Sequence, residues 1–172
     1  MKYNHYRFDD LSPVVLRRLY DLTNSPDRGD VRDDGLSAGS LFRSQLDDRL
    51  MGESFPNSHV VLASHFRYAG WCMVTRHDFD LETGRRLTVP NAMVGFYVRP
   101  EFRRQGVGKR LIQEASEVAR KNGVGRLLAN TWNKSSRSFF LSCGFEEVEF
   151  YVPGWVRGVA ALDLQPYRAV GT

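Results

Sequence analysis

Two glycines, Gly106 and Gly108, stand where an apolar run, Val94-Gly95-Phe96-Tyr97-Val98, gives way to a helical pattern. Between them lies Arg99-Pro100-Glu101-Phe102-Arg103-Arg104-Gln105, so the segment reads as strand, short loop and helix start. The first N–H groups of a helix have no intrahelical partner, and the helix dipole adds partial positive charge there. A pyrophosphate can accept those bonds where no Cβ blocks the backbone, which Gly106 and Gly108 provide. Arg103, Arg104, Lys109 and Arg110 add flanking charge. The dinucleotide fingerprint G-x-G-x-x-G fails because position 111 is Leu, and no G-x-x-x-x-G-K-[ST] loop occurs. The same spacing also suits a tight turn with a solvated basic rim.

A second segment follows: Asn133-Lys134-Ser135-Ser136-Arg137-Ser138-Phe139-Phe140-Leu141-Ser142-Cys143-Gly144-Phe145. Read plainly, it is a helix capped near Asn133 that packs Phe139 and Phe140 inward and stops at Gly144.

Together the two segments resemble the GNAT superfamily of N-acetyltransferases. Arg103-Arg104-Gln105-Gly106-Val107-Gly108 matches that family's Q/R-x-x-G-x-G/A signature. Asn133, Phe139, Gly144 and Phe145 match its N-x-x-A-x-x-F-Y-x-x-x-G-F pattern, with Ser136 for Ala and Phe140 for Tyr. The resemblance spans roughly residues 91 to 152; before that it rests on compatible element order. It implies acetyl-CoA as co-substrate and no metal. The backbone from Arg103 to Gly108, with Lys109 beside it, would bind the pyrophosphate. The strand ending at Val98 would pair with the pantetheine arm, and the Phe96 N–H would polarise the thioester carbonyl. Asn133 would hydrogen-bond the cofactor, and the helix carrying Phe139 and Phe140 would line the pantetheine channel.

The implied activity is direct acetyl transfer to a primary amine of a small molecule or a protein. Its general acid is not evident, because Phe140 has no hydroxyl to protonate the leaving thiolate. Ser142 and Cys143, slightly further along the helix, are the substitutes within reach. The base is equally open: a glutamate found early in the central strand of some relatives aligns here with Ala92. His65, His77, Asp78 and Glu82 are the remaining candidates, and a water chain would also serve. Much of the catalysis can come from positioning and carbonyl polarisation. The missing Tyr and Glu leave a second reading open, a GNAT-like acetyl-CoA-binding regulatory module.

The acceptor region of this family includes the segment 25–35, which holds Asp27, Asp30, Asp33 and Asp34. Such a loop suits a cationic amine, or it is simply solvated and paired with Arg28 and Arg32. Trp71, Trp132 and Trp155 could wall an acceptor pocket or only pack.

The elements that must hold these residues follow from periodicity. Lys2 to Phe8 reads as a strand, and Ser12-Pro13 opens a helix to about residue 24. A loop to Gly39 and a second helix from Ser40 to Met51 precede strands over 59–66 and 70–76, with their turn at 67–70. Asp78 to Arg86 reads as a polar excursion. Asn91 to Val98 is apolar on both faces, as in a covered strand. The helix over 106–122 has Val107, Leu111, Ala115, Val118 and Ala119 as its buried stripe. A strand over 126–131, a helix over 134–142 and strands near 145–152 and 156–164 complete the chain.

This predicts one α/β domain over residues 1–172 with an α+β mixed sheet. The family resemblance sharpens it to about seven twisted strands, helices on both faces, and a V-shaped opening with a β-bulge at the fourth strand. Hydrophobic content of 42% and charged content of 26% fit a globular chain. Met1 to Phe8 shows no apolar leader and no stretch nears membrane length, so a cytoplasmic protein is expected. Cys72 and Cys143 form neither a C-x-x-C pair nor a zinc-spaced cluster. The net charge of +4 is concentrated after residue 60, which would suit a nucleic acid or a polyanionic cofactor. Dispersed arginines without interleaved aromatics argue against nucleic acid. A homodimer stays open, since GNAT proteins often pair.

Overall fold

The computed structural model describes residues 1–23, 48–49, 51–52, 54–80, 83–131, 134–148 and 159–164. The acidic segment 25–35, most of the helix expected over 40–51, Glu82, Trp132, Asn133 and Trp155 lie outside them. Seven strands form one sheet: β1 (Lys2–Arg7), β2 (Ser58–Ser64), β3 (Tyr68–Phe79), β4 (Arg86–Val98), β5 (Arg126–Asn130), β6 (Glu146–Val148) and β7 (Val159–Asp163). Their spatial order is β1-β2-β3-β4-β5-β7-β6, and only β4 and β5 run parallel.

Among the described residues, three helices of two turns or more cover the sheet. In α1 (Pro13–Thr23), proline opens the helix and the Ser12 hydroxyl accepts from the Val15 N–H at 3.4 Å. Leu16 and Leu19 of α1 pack on Phe8, Val60, Leu62, Trp71, Met73 and Tyr97, forming the core of one sheet face. On the other face lies α2 (Val107–Lys121), the crossover between the parallel strands. Its expected stripe is buried in full, joined by Ile112 and Ser116. The helix ends at Gly123, φ +72°, with the Val124 N–H returning to the Ala119 carbonyl. The third helix, α3 (Lys134–Ser142), stops in the same way at Gly144, φ +90°, where the Phe145 N–H meets the Phe140 carbonyl.

Three expectations are corrected. The β2–β3 reversal falls at 65–67, where the His65 N–H meets the Arg67 carbonyl, so Tyr68 to Gly70 are already strand. Secondly, the polar excursion is shorter than read. β3 runs on to Phe79 and β4 starts at Arg86, with Asp80 accepting from the Thr83 N–H at the turn. Phe79, Arg86, Thr88 and Val89 are exposed in this part of the hairpin, which is why apolar alternation did not reveal it. Thirdly, no register shift marks the end of β4. Its pairing with β3 is continuous from Asn91 to Val98, and the irregularity lies between His77 and Phe79.

Gly70 shows how tightly β3 and β4 meet. A Cβ there would sit 2.5 Å from the Tyr97 carbonyl oxygen and 3.3 Å from Leu111. Backbone cannot yield as a flexible side chain can, so Gly70→Ala is expected to cost about 1–3 kcal/mol. Denaturant unfolding would show this as a lower midpoint at unchanged slope.

Candidate functional site

The parallel ladder between β4 and β5 stops at Val94–Ala129. β4 continues to Val98, held by β3 alone, while β5 ends at Asn130 against Val159 of β7. The two strands therefore part at Gly95, and the edge of β4 from Gly95 to Val98 has no strand partner among the described residues. An extended ligand laid there could bond to that edge as an added strand would. Phe96 and Val98, both singled out from the sequence, lie on this open stretch.

Beyond Val98 the chain makes one 3-10 turn over Pro100–Phe102 and reaches α2 through two left-handed residues. Gly106 has φ +79°, and Arg104 has φ +57°, the one non-glycine with positive φ among the described residues. Left-handed residues alternating with ordinary ones can turn backbone N–H groups towards a common point, the geometry of anion-binding concavities. A left-handed non-glycine costs about 1–3 kcal/mol, so the surrounding loop must hold Arg104 in place. The first bond of α2 runs from the Arg110 N–H to the Gly106 carbonyl at 3.0 Å. The N–H groups of Val107, Gly108 and Lys109 therefore precede the intrahelical series.

The side chains here divide into braces and free charge. Arg103 donates through Nε to the Val98 carbonyl at 3.0 Å, and Gln105 donates through Nε2 to the Glu101 carbonyl at 2.7 Å. The first ties the loop to the strand, and the second ties it to its own 3-10 turn. Arg110 pairs with Glu114 at 2.5 Å and lies over the Tyr3 ring. Arg104 and Lys109 are exposed at the loop. Glu101 would oppose an anion, but Arg99 at 2.8 Å and Arg67 at 2.9 Å neutralise it. A hydrogen bond from its own backbone, followed by these two guanidiniums, holds its carboxyl below the ordinary range.

Aromatic rings wall the opening. Phe96 stacks on Phe139 at 4.6 Å and meets Phe140 edge-on at 5.4 Å, while Phe140 contacts Phe145 at 5.0 Å. Gly108 lets α2 and α3 close on each other here, since a Cβ would stand 3.1 Å from the Phe139 ring. Phe140 is buried. The Ser142 hydroxyl donates to the Phe139 carbonyl at 2.7 Å, so its proton is already engaged within α3. Cys143 is half-buried, and burial pushes its thiol up, with the Ser142 side chain and then Lys109 pulling part of the way back. It therefore keeps its proton at neutral pH. Cys72, paired across the ladder with Phe96, is fully buried and also raised by burial.

Among the described residues, the candidate bases His65, His77 and Asp78 do not gather at the opening. Ala92 is buried in the core under α2. His77 pairs with Asn91, five residues from Phe96 along β4, which is roughly 17 Å at strand rise. Asp78 is at that same end and pairs with Arg76 at 2.7 Å. His65 is exposed at the tip of the β2–β3 hairpin against Phe66.

His77 acts on stability instead. Burial lowers its imidazole below the ordinary 6.5, with Asp78 pulling the other way. The unfolded chain then binds the proton more readily, so stability is whole above about pH 6.5 and is lost as pH falls towards the folded value. His59 is lowered in the same direction by burial and Arg7. Melting temperature is expected to fall between pH 7 and 5, and His77→Gln to flatten that fall. An unchanged slope in the variant would assign the effect to His59.

Asn130 was not legible as a site residue. The only hint was a polar residue closing the apolar run Leu127-Leu128-Ala129. Its Oδ1 is buried without a hydrogen-bond partner among the described residues. Those residues include no group of three or more His, Cys, Asp or Glu able to hold a metal. Nor do they include a helix long and apolar enough to cross a membrane.

The model of the acetyltransferase (GNAT) family matches residues 17–145. The thialysine N-epsilon-acetyltransferase of Bos taurus is 34% identical over 130 residues, covering 73% of this chain and 67% of that protein. A protein of Methanocaldococcus jannaschii described as an uncharacterized N-acetyltransferase is 42% identical over 67 residues. That match spans 37% of this chain and 28% of the archaeal protein's length. In structure, a GNAT-family acetyltransferase from Staphylococcus aureus superposes with a TM-score of 0.67 at 12% identity, covering 95% of this chain and 100% of that one. At that identity the likeness concerns the fold.

Proposed function

From the premise that this chain belongs to the acetyltransferase (GNAT) family, we propose that it moves an acetyl group from acetyl-CoA to a primary amine by direct attack. The observation that carries the proposal is the open edge of β4 leading into a loop with Arg104 and Gly106 both at positive φ. The pyrophosphate would take the backbone N–H groups at the start of α2, with Arg104 and Lys109 as flanking cations. Arg103 and Gln105 hold the loop in shape. The pantetheine arm would lie along Gly95 to Val98 against Phe96 and Phe139, placing the thioester where β4 and β5 part. A neutral amine attacks the carbonyl carbon, the C–S bond breaks, and CoA leaves as a thiolate. The amine loses one proton to water and the thiolate gains one. Domain extent follows the same reading, one catalytic unit over residues 1–172.

The acceptor is best sought among lysine-like ω-amines, because the bovine relative is a thialysine N-epsilon-acetyltransferase. Purified protein with acetyl-CoA and thialysine should release thiol in step with acetylated amine and saturate in both substrates. No saturable rise in melting temperature with acetyl-CoA would overturn the cofactor reading; a ligand at 100 times its dissociation constant stabilises by about 2.7 kcal/mol.

One observation favours a second reading. Phe140 is buried and lacks the hydroxyl that would serve the leaving group, which suits a module that binds acetyl-CoA without turnover. Acetyl-CoA binding without amine-dependent thiol release across a panel of amines would decide for it.

A further inference from the structure

Asn130 is the last residue of β5, one step past the final β4–β5 pair at Val94–Ala129. Strand alternation fixes the face it occupies. Leu127 and Ala129 belong to the core under α2, whereas Leu128 packs with Val159 and Ala161 on the opposite face. Asn130 shares that opposite face with Leu128. Had the parallel ladder run one step further, its neighbour would have been Gly95, which has no side chain. Asn130 thus stands where the strands part, across the sheet from the helix whose N-terminus would hold the pyrophosphate.

Its Oδ1 is buried with no hydrogen-bond partner among the described residues, although the residue as a whole is only half-buried. Folded proteins seldom keep such an atom without a use for it. A carboxamide oxygen accepts and never donates, so it calls for an N–H or O–H.

We propose that Asn130 is the contact for the acceptor amine, its Oδ1 accepting an N–H of the neutral primary amine and aiming the lone pair at the thioester carbon. This rests on the acetyl-transfer reading above. Asn130 takes no proton itself; the amine proton leaves to water after the C–N bond forms. A neutral acceptor suits this step better than a carboxylate, which would favour the ammonium form and remove the attacking lone pair.

The test compares wild type, Asn130→Ala and Asn130→Asp with acetyl-CoA and two probes, thialysine and a lysine-bearing peptide. Asn130→Ala is expected to lower kcat/KM for the amine about tenfold, while the rise in melting temperature with acetyl-CoA is unchanged. Asn130→Asp is expected to move the rising limb of kcat to higher pH, because its carboxylate raises the pKa of the amine bound beside it. A purely structural role would not move that limb. Unchanged kcat/KM in Asn130→Ala overturns the proposal, as does a loss confined to the acetyl-CoA response, which would give the contact to the cofactor. A wild type that binds acetyl-CoA but acetylates neither probe overturns it together with the transfer reading. A wild type that acetylates both while Asn130→Ala matches it overturns the Asn130 assignment alone.

Discussion

Gly106→Glu is expected to abolish the stabilisation that acetyl-CoA gives the wild type, while Gly84→Glu keeps it. Both glycines hold positive φ, +79° at Gly106 and +68° at Gly84, and neither has any atom within 4 Å of where a Cβ would stand. A left-handed non-glycine costs roughly 1–2 kcal/mol, so both variants should lose a few degrees of melting temperature. Only Gly106 lies at the start of α2; Gly84 closes the β3–β4 turn at the other end of β4. A carboxylate at 106 would stand among the N–H groups a pyrophosphate would use and repel it. Hydrogen bonds to charged groups contribute about 1.5–3 kcal/mol each, so losing even one or two weakens binding by on the order of a hundredfold. Titrating melting temperature against acetyl-CoA in all three proteins reads the result. Equal responses in the two variants would remove the phosphate from this loop.

The parts of the molecule legible in the sequence are those where burial repeats with a period. Val107, Leu111, Ala115, Val118 and Ala119 declared the face of α2, and Ser12-Pro13 declared the start of α1. The loop between β4 and α2 was legible for another reason: glycine at a strand–helix junction restricts what the backbone there can do. What stayed hidden depends on partners distant in the chain. Arg103 and Gln105 read as part of a backbone cradle for the pyrophosphate, and the sequence did not show that their side chains brace the loop on Val98 and Glu101. Ser142 read as a proton donor, yet its hydroxyl is held by the Phe139 carbonyl one turn back. His77 and Asp78 read as bases because their residue types allow it, but pairing with the early part of β4 carries them away from the opening. Asn130 gave almost no signal, since an unpartnered oxygen is a property of the packed chain.

Phe140→Tyr is expected to raise kcat about tenfold or more near neutral pH with little change in amine KM. The Phe140 ring meets Phe96 edge-on, and Phe96 lies on the stretch of β4 that borders the opening. A para hydroxyl on that ring would lie beside the site where the thiolate leaves, and positioned general acids typically contribute 10²–10⁴-fold. The gain should start below that range, because CoA thiolate is a tolerable leaving group unaided. Stability discriminates the alternative. Phe140 also contacts Phe145 in the core, and a hydroxyl directed there would be buried without a partner, costing about 1–3 kcal/mol. A faster enzyme with an unchanged melting temperature places the ring at the thioester. A slower or unchanged enzyme that melts several degrees lower places it in the core, and would leave the half-buried Cys143 thiol as the proton donor to test next.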